Sequence, residues 1–302
     1  MVWKWSVWGR VVVRSGGADG AKSWLSEAAR SWIPLRQRRQ LLFLRNHRRW
    51  GNFNDPRTFS EKVNWRILND RRTALEWTGD KLEMKDRAAA AGVASPTTFW
   101  YGDDLATLAG VSLPDHWVLK PNHRSSLVYF GQGPPDIDVL RQVTQGWMEE
   151  TQSSVLGEWA YSMARRLLLV EEQLEPDGPL YEFKVFVMNG QAQIIQVDVD
   201  RFGDHRRNVY TTTWEPVDTE YLHPRGDPVP CPAKLPEMVS AAERVAGDLD
   251  FLRVDLYNIE GETYLGEVAA YPGSGLERHR PYAYDLELGA RWRIPVLDAP
   301  TG

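Results

Sequence analysis

Two carboxylates and an arginine lie close together in residues 251–276. Arg253 and Asp255 belong to Phe251-Leu252-Arg253-Val254-Asp255-Leu256-Tyr257, and Glu267 to Glu262-Thr263-Tyr264-Leu265-Gly266-Glu267-Val268. Two acids so placed can share one hard cation, because Mg²⁺ takes one or two carboxylates and fills its shell with phosphate and water oxygens. An arginine beside them would hold a phosphate through its fork of donors. This chemistry requires the three side chains to share a face. The two segments read as strands joined by an Ile259-Glu260-Gly261 turn, with Gly261 in the left-handed position. That register pairs Asn258 with Glu262, Asp255 with Leu265 and Arg253 with Glu267. Arg253, Asp255, Glu267 and Ala269 then share one face, the two acids diagonal and roughly 7 Å apart. Val254, Leu256, Tyr264 and Val268 share the other, apolar face. A slip of one residue would carry Glu267 across. The alternative is an ordinary hairpin with solvated charges.

Two lysines fit the same chemistry. Lys120 closes the strand Trp117-Val118-Leu119-Lys120 before Pro121 and the polar loop Asn122-His123-Arg124-Ser125-Ser126, a setting suited to phosphate. Lys184 shares a face with Glu182, Phe186 and Met188 in the strand Tyr181–Met188. Asn189-Gly190 then turns into Gln191–Arg201, a strong hairpin signal; a lysine there is either solvated or aimed at an anion. Arg206, Arg207 and Asn208 follow. A buried strand, Leu167–Val170, precedes this hairpin and runs into Glu171-Glu172-Gln173-Leu174 and a loop with Pro176, Gly178 and Pro179.

The elements that must position these residues are mostly helical at the start. Residues 1–23, ending in Gly16-Gly17-Ala18-Asp19-Gly20, read as a loosely attached extension. From Ala28 to Asn54 there are seven arginines (30, 36, 38, 39, 45, 48 and 49) and no acid. Pro34 opens a helix there carrying Leu35, Leu41, Leu42, Phe43 and Leu44. Such a helix either lies on anionic lipid or packs its leucines under a solvated face. Phe59, Val63, Ile67 and Leu68 have helical spacing behind a Thr58/Glu61 capping box. Another helix spans Gly79 to Ala91, stopped by Gly92; its Lys81, Lys85 and Arg87 read as surface charges. Further helices are expected over Asp138 to about Glu150, Glu158 to Arg166, and Pro236 to Gly247.

With 302 residues, 42% hydrophobic and 25% charged, the chain can bury a full core. A net charge of −5 argues against general nucleic-acid binding. Cys231 is the lone cysteine, which excludes an internal disulfide or a cysteine metal cluster, and the six histidines lack ligand spacing. No apolar run reaches the length of a membrane span, and the start, Met1 to Arg10, lacks a cleavage pattern. A cytoplasmic protein is expected. Phosphate loops of the Gly-x4-Gly-Lys-Ser/Thr type, Gly-x-Gly-x-x-Gly after a strand, and Gly-x-Ser-x-Gly are absent.

The order of the pieces resembles the ATP-grasp superfamily, and its TupA-like (teichuronopeptide-biosynthesis) branch in particular. The matching residues are Thr58-Phe59-Ser60-Glu61-Lys62, Asp80-Lys81, Leu119-Lys120-Pro121-Asn122-His123, Val170-Glu171-Glu172, Phe183-Lys184-Val185-Phe186-Val187-Met188-Asn189-Gly190, Asp200-Arg201, Arg253-Val254-Asp255-Leu256-Tyr257, and Gly266-Glu267 through Pro272-Gly273-Ser274-Gly275. The resemblance implies an α+β protein with the ATP-grasp fold, two α+β lobes clasping ATP. A basic N-terminal helical extension would occupy 1–56, a helical segment 57–94 and the ATP-grasp domain 95–302. Lys120 and Lys184 would hold ATP phosphates, Glu171, Glu172 and Leu174 would flank adenine, and Glu182 would lie near the ribose. Asp255 and Glu267 would bind Mg²⁺, and Arg253 and Lys184 would act in catalysis. The implied reaction joins a carboxylate to an amine through an acyl phosphate, for cell-envelope polysaccharide or polymer synthesis, on small or glycan-linked substrates. Membrane contact would come through the basic N-terminal segment. An ATP-grasp kinase of a small polyol or sugar, and a nucleotide-binding protein with impaired catalysis, are the alternatives. Two departures favour the last: Arg124-Ser125-Ser126 replaces a glycine-containing loop, and Ala269 stands where many relatives have a polar metal ligand.

Overall fold

A computed structural model describes residues 5–6, 9–13, 33–149, 152–175, 181–199 and 204–297. The predicted Gly16–Gly20 stretch, the Pro176–Pro179 loop and the Asp200-Arg201 pair lie outside these residues. Near the N-terminus, β1 (Trp5–Ser6) and β2 (Gly9–Val13) form a hairpin, and β2 pairs with β5 (Leu127–Gln132). That part of the expected loose extension is therefore sheet.

The smaller lobe is one antiparallel sheet. Its strands run in the order β1-β2-β5-β4-β6-β3, where β3 is Thr98–Gly102, β4 His116–Pro121 and β6 Leu168–Glu172. Trp100, Trp117, Leu119, Tyr129, Leu168 and Val170 form its core with Leu108 and Leu140. The larger lobe holds a five-stranded antiparallel sheet in the order β12-β11-β7-β8-β9. These are β7 (Glu182–Met188), β8 (Gln191–Val199), β9 (Arg206–Tyr210), β11 (Phe251–Ile259) and β12 (Glu262–Ala269). A short β10 (Glu220–Tyr221) pairs with β13 (His279–Arg280). The β7–β8 turn is the expected Asn189-Gly190, both residues at positive φ (50° and 80°), the backbone that matches strand twist in a two-residue hairpin.

The helices are α1 (Leu35–His47), α2 (Phe59–Asn69), α3 (Lys81–Ala90), α4 (Ile137–Val143), α5 (Gln152–Leu156), α6 (Ala160–Met163), α7 (Leu235–Ala246) and α8 (Tyr282–Arg291). The capping box at α2 is present, with Thr58 accepting from the Glu61 N–H and Glu61 from the Thr58 N–H; such a cap adds about 1 kcal/mol. α4 and α6 are shorter than their sequence pattern suggested. α7 packs on β7, β8 and β11, burying Met238, Ala242 and Val245 against Val185, Leu252 and Val254. Phe59, Val63, Ile67, Met84 and Ala88 join that core, so α2 and α3 pack as part of the larger lobe.

Helix α1 turns some of its cations inward. Arg39 is fully buried, bonding to Asn64 Oδ1 (2.6 Å), to Ser274 Oγ (3.0 Å) and to the Ser274 carbonyl. Arg38 is buried too, whereas Arg36, Arg45 and Arg48 face outward. Among the described residues no helix is long and apolar enough to cross a membrane.

Candidate active site

One face of the five-stranded sheet packs on α7; the other carries charge. The register aligns Glu267, Asp255, Lys184 and Gln196 straight across four strands. The next row is Tyr264, Tyr257, Glu182, Asp198 and Arg207. Ala269 stands opposite Arg253 in a third row.

The turn before β12 differs from expectation. Ile259 pairs with Glu262 across a two-residue turn, Glu260 (φ 51°) and Gly261 (φ 86°). This one-residue slip would have moved Glu267 to the core face. A bulge at Gly266 restores the alternation, so Asp255 faces Glu267 directly instead of diagonally. It also brings Leu265 to the core beside Leu256 and leaves Tyr264 on the charged face, opposite Tyr257, correcting the predicted core assignment of Tyr264. Gly266 suits the bulge, since a Cβ there would come within 2.8 Å of the Tyr257 ring.

Each cation on this face has carboxylate partners. Lys184 is 2% exposed, with Nζ 2.6 Å from Asp198 Oδ2 and 2.8 Å from Glu182 Oε2. Burial works to lower its pKa, but Asp198, Glu182 and Asp255 outweigh it and hold the ammonium above its usual range. Burial likewise acts to raise Asp198, yet Lys184 and Arg207 keep it well below the usual carboxylate range. Arg253 donates Nε and Nη2 to the two oxygens of Asp255 at 2.7 and 2.6 Å. Burial pushes the Asp255 carboxyl up, against the pull of Arg253 and Lys184.

The smaller lobe and α3 supply further cations. Glu171 is buried, and its carboxylate bridges Lys120 and Lys85, the latter at 2.8 Å. The side chain predicted to flank adenine thus holds two lysines. Burial acts to raise Glu171, but these lysines win and lower it. Glu172 Oε2 accepts from the Thr97 N–H at 3.1 Å, while Leu174 lies just beyond β6.

Lys81 and Lys85, read from sequence as surface charges, belong to this cleft. Lys81 is buried and donates Nζ to the Arg124 carbonyl (2.6 Å), within electrostatic reach of Glu267, Lys120 and Glu171. Burial, above all, lowers its pKa to about 8. Asp80 caps α3 by accepting from the Leu82 and Glu83 N–H groups, and also binds Arg165 at 2.8 Å. The signal for this placement was Asp80 itself, an N-cap that fixes where the next residue points. The 122–126 loop is stitched to α3 through Asn122 Oδ1, which accepts from the Leu82 N–H at 3.0 Å. Ser126 adopts left-handed backbone (φ 70°), a conformation that glycine enters freely and a serine at a cost of about 1–2 kcal/mol.

The donor set suits a Mg²⁺–phosphate group. Two facing carboxylates are what Mg²⁺ takes when phosphate completes its shell, and no group of three or more metal-ligating side chains occurs among the described residues to form an all-protein cage. Around them stand Lys81, Lys120, Lys184 and Arg253, cations able to hold dispersed phosphoryl charge.

A family model described as TupA-like ATPgrasp matches residues 61–293. No curated protein matches the chain. Among solved structures the chain is similar to D-alanine–D-alanine ligase from Bacillus anthracis, at 18% identity and a TM-score of 0.39, covering 65% of this chain and 57% of that one. The D-alanine–D-alanine ligase of Helicobacter pylori gives 17% identity, a TM-score of 0.41 and coverage of 72% and 61%. The L-amino acid ligase of Bacillus licheniformis gives 15%, 0.43, and coverage of 72% and 48%. The chain spans less than two thirds of the length of each.

Proposed function

Because the chain belongs to the TupA-like ATP-grasp family and has the ATP-grasp fold, we propose that it is an ATP- and Mg²⁺-dependent ligase, activating a carboxylate as an acyl phosphate for attack by an amine. The observation that carries this reading is the row Glu267–Asp255–Lys184, with Arg253 clamped on Asp255. Lys120, Lys184 and Lys81 would bind the nucleotide phosphates, with Glu171 orienting Lys120. Glu182, next to Tyr257 on the sheet, would lie toward the ribose. Asp255 and Glu267 would hold Mg²⁺, which when bound neutralises phosphate charge. Arg253 would steady the transferring phosphoryl group. A role in cell-envelope polysaccharide or polymer synthesis is part of the same proposal.

The test is the stoichiometry of ADP and phosphate with MgATP and pools of carboxylates and amines. A ligase releases both in equal amounts, dependent on both acceptors. ADP without matching phosphate would replace this reading with a kinase, and neither product with any acceptor would reduce the chain to nucleotide binding.

Two further outcomes are expected. ATP alone should stabilise the protein little, because Asp255 and Glu267 repel a bare triphosphate. With Mg²⁺, a nucleotide concentration of about 100 Kd should add about 2.7 kcal/mol, seen as a rise in melting temperature. MgADP affinity should also fall as pH rises above about 8. Bound phosphate raises the pKa of Lys81, so binding above that pH takes up a proton, and affinity drops by up to about tenfold per unit. Calorimetric titrations at pH 7, 8 and 9 check this, and Lys81→Met should flatten the profile.

A further inference from the structure

At the β8–β9 end of the second row, the sheet carries a cluster whose histidines have no task in phosphoryl transfer. Asp198 sits between Lys184 on β7 and Arg207 on β9, whose Nε donates to Asp198 Oδ1 at 2.6 Å. His205, just before β9, places Nε2 3.1 Å from the same Oδ1. Its ring stacks on His223 with centroids 3.7 Å apart. Arg207 continues to Glu277 Oε2 at 2.9 Å and to the Tyr221 carbonyl at 3.2 Å.

The backbone is bent to build this cluster. Leu222 is at φ 61° and 44% exposed, a left-handed conformation that a leucine adopts at a steric cost. Its N–H donates to the Arg278 carbonyl at 3.0 Å, and the His223 N–H returns to the Tyr221 carbonyl at 2.7 Å. This kink turns Tyr221 onto His279 and His223 onto His205. Strain of this kind concentrates at functional sites. Asp198 is already neutralised by Lys184 and Arg207, and His205 Nε2, although 3.1 Å from its Oδ1, makes no hydrogen bond in this geometry, so charge pairing at Asp198 does not account for the histidine.

We infer that His205 is the base that accepts the proton of the attacking amine, its ring held against His223 and beside Asp198. The inference rests on the ligase reading. Lys184 would hold the nucleotide phosphates up to the point of transfer, and the acyl carbon is one bridging oxygen from the transferred phosphorus. His205 is one carboxylate away from Lys184, and its side chain is 18% exposed. The amine nitrogen forms its bond to the acyl carbon. The bond from that carbon to the bridging oxygen breaks, and its electron pair leaves on inorganic phosphate. An ammonium substrate sheds two protons. The first passes to His205 Nδ1 and on to water, freeing the lone pair that attacks. The second leaves nitrogen once the C–N bond has formed and goes to the departing phosphate. Among the described residues, Asp198 and His223 stand against His205, and Arg207 lies beside both. Burial, then Arg207 and His205, lower His223 to about 4, so it stacks as a neutral ring.

The test compares two nucleophiles in wild type and His205→Gln, with MgATP and the carboxylate pool. Hydroxylamine is largely unprotonated at neutral pH and traps an acyl phosphate without needing a base. Amines of the acceptor pool are ammonium ions and do need one. His205→Gln should keep hydroxamate formation within about threefold of wild type, and lose amide formation by about a hundred- to a thousandfold at pH 7. The loss should shrink as pH approaches the pKa of the amine, and an unchanged MgADP-induced melting shift should show an intact nucleotide site. Equal losses with both nucleophiles, or none with either, would overturn the assignment. Absence of carboxylate-dependent hydroxamate in wild type would instead overturn the ligase reading, and this inference with it.

Discussion

Lys184→Met is expected to weaken MgADP binding by roughly ten- to a hundredfold, the 1.5–3 kcal/mol of a charged hydrogen bond. It should also lower stability. Lys184 Nζ lies between Asp198 and Glu182, and methionine would leave both carboxylates facing each other on adjacent strands without their cation. Breaking a buried pair from one side costs about 3–5 kcal/mol, part of which Arg207 offsets at Asp198. Affinity and stability must therefore be read separately, by calorimetric titration well below the variant's melting temperature and by thermal unfolding. Lys62→Met is the control. Lys62 Nζ binds the Gly289 and Trp292 carbonyls at the end of α8, so its loss should lower the melting temperature and leave MgADP affinity unchanged. Equal loss of affinity in the two variants would place the nucleotide away from Lys184.

Elements with a strong local pattern were legible in the sequence. The capping box at Thr58, the Asn189-Gly190 turn and the alternation of β7 depend on neighbours within a few residues, and the structure follows them. The shared face of Arg253, Asp255 and Glu267 was also legible, although its derivation was incomplete. A three-residue turn and a two-residue turn with a later bulge place the same acids on the same face, and only the spacing between them differs. Gly266 was the one local sign of the bulge, and it reads equally well as a weak point in a strand.

What depends on distant partners was not legible. Lys81 and Lys85 have the spacing of solvated helix charges; the burial of Lys81 and the half-burial of Lys85 follow from where the 122–126 loop and β6 meet α3. Arg39 and Arg66 look like surface cations in any window. Arg66 is nonetheless fully buried, donating to the Phe251 carbonyl at 2.9 Å and pairing with Asp250 and Asp70. The bonds of Arg39 to Ser274 span 235 positions of sequence. The Asp198–His205 contact is short in sequence but depends on β9 folding back along β8.

Asp255→Asn is expected to lower acceptor-dependent turnover by on the order of a thousandfold, the scale set by removing one group that stabilises transition-state charge. The substitution is nearly isosteric, so β11 should keep its register between β7 and β12. Its effect is electrical and directional. Both oxygens of Asp255 accept from Arg253, through Nε and Nη2. Asparagine retains one acceptor and turns an amide N–H₂ toward the other donor, so the paired geometry that aims Arg253 is lost. The metal position loses a unit of negative charge as well, leaving Glu267 as its one carboxylate in this row. Nucleotide binding, which draws on Lys81, Lys120 and Lys184 too, should fall much less than turnover. Coupled measurement of ADP and phosphate in wild type and variant, alongside MgADP titration, separates the two effects and exposes any contaminating ATPase, whose rate would not respond to the substitution. Turnover within tenfold of wild type would make the Arg253–Asp255 pair a structural clamp. AMP and pyrophosphate that disappear in the variant would place bond cleavage at the α-phosphorus, which neither a ligase working through an acyl phosphate nor a kinase transferring the terminal phosphoryl group can produce.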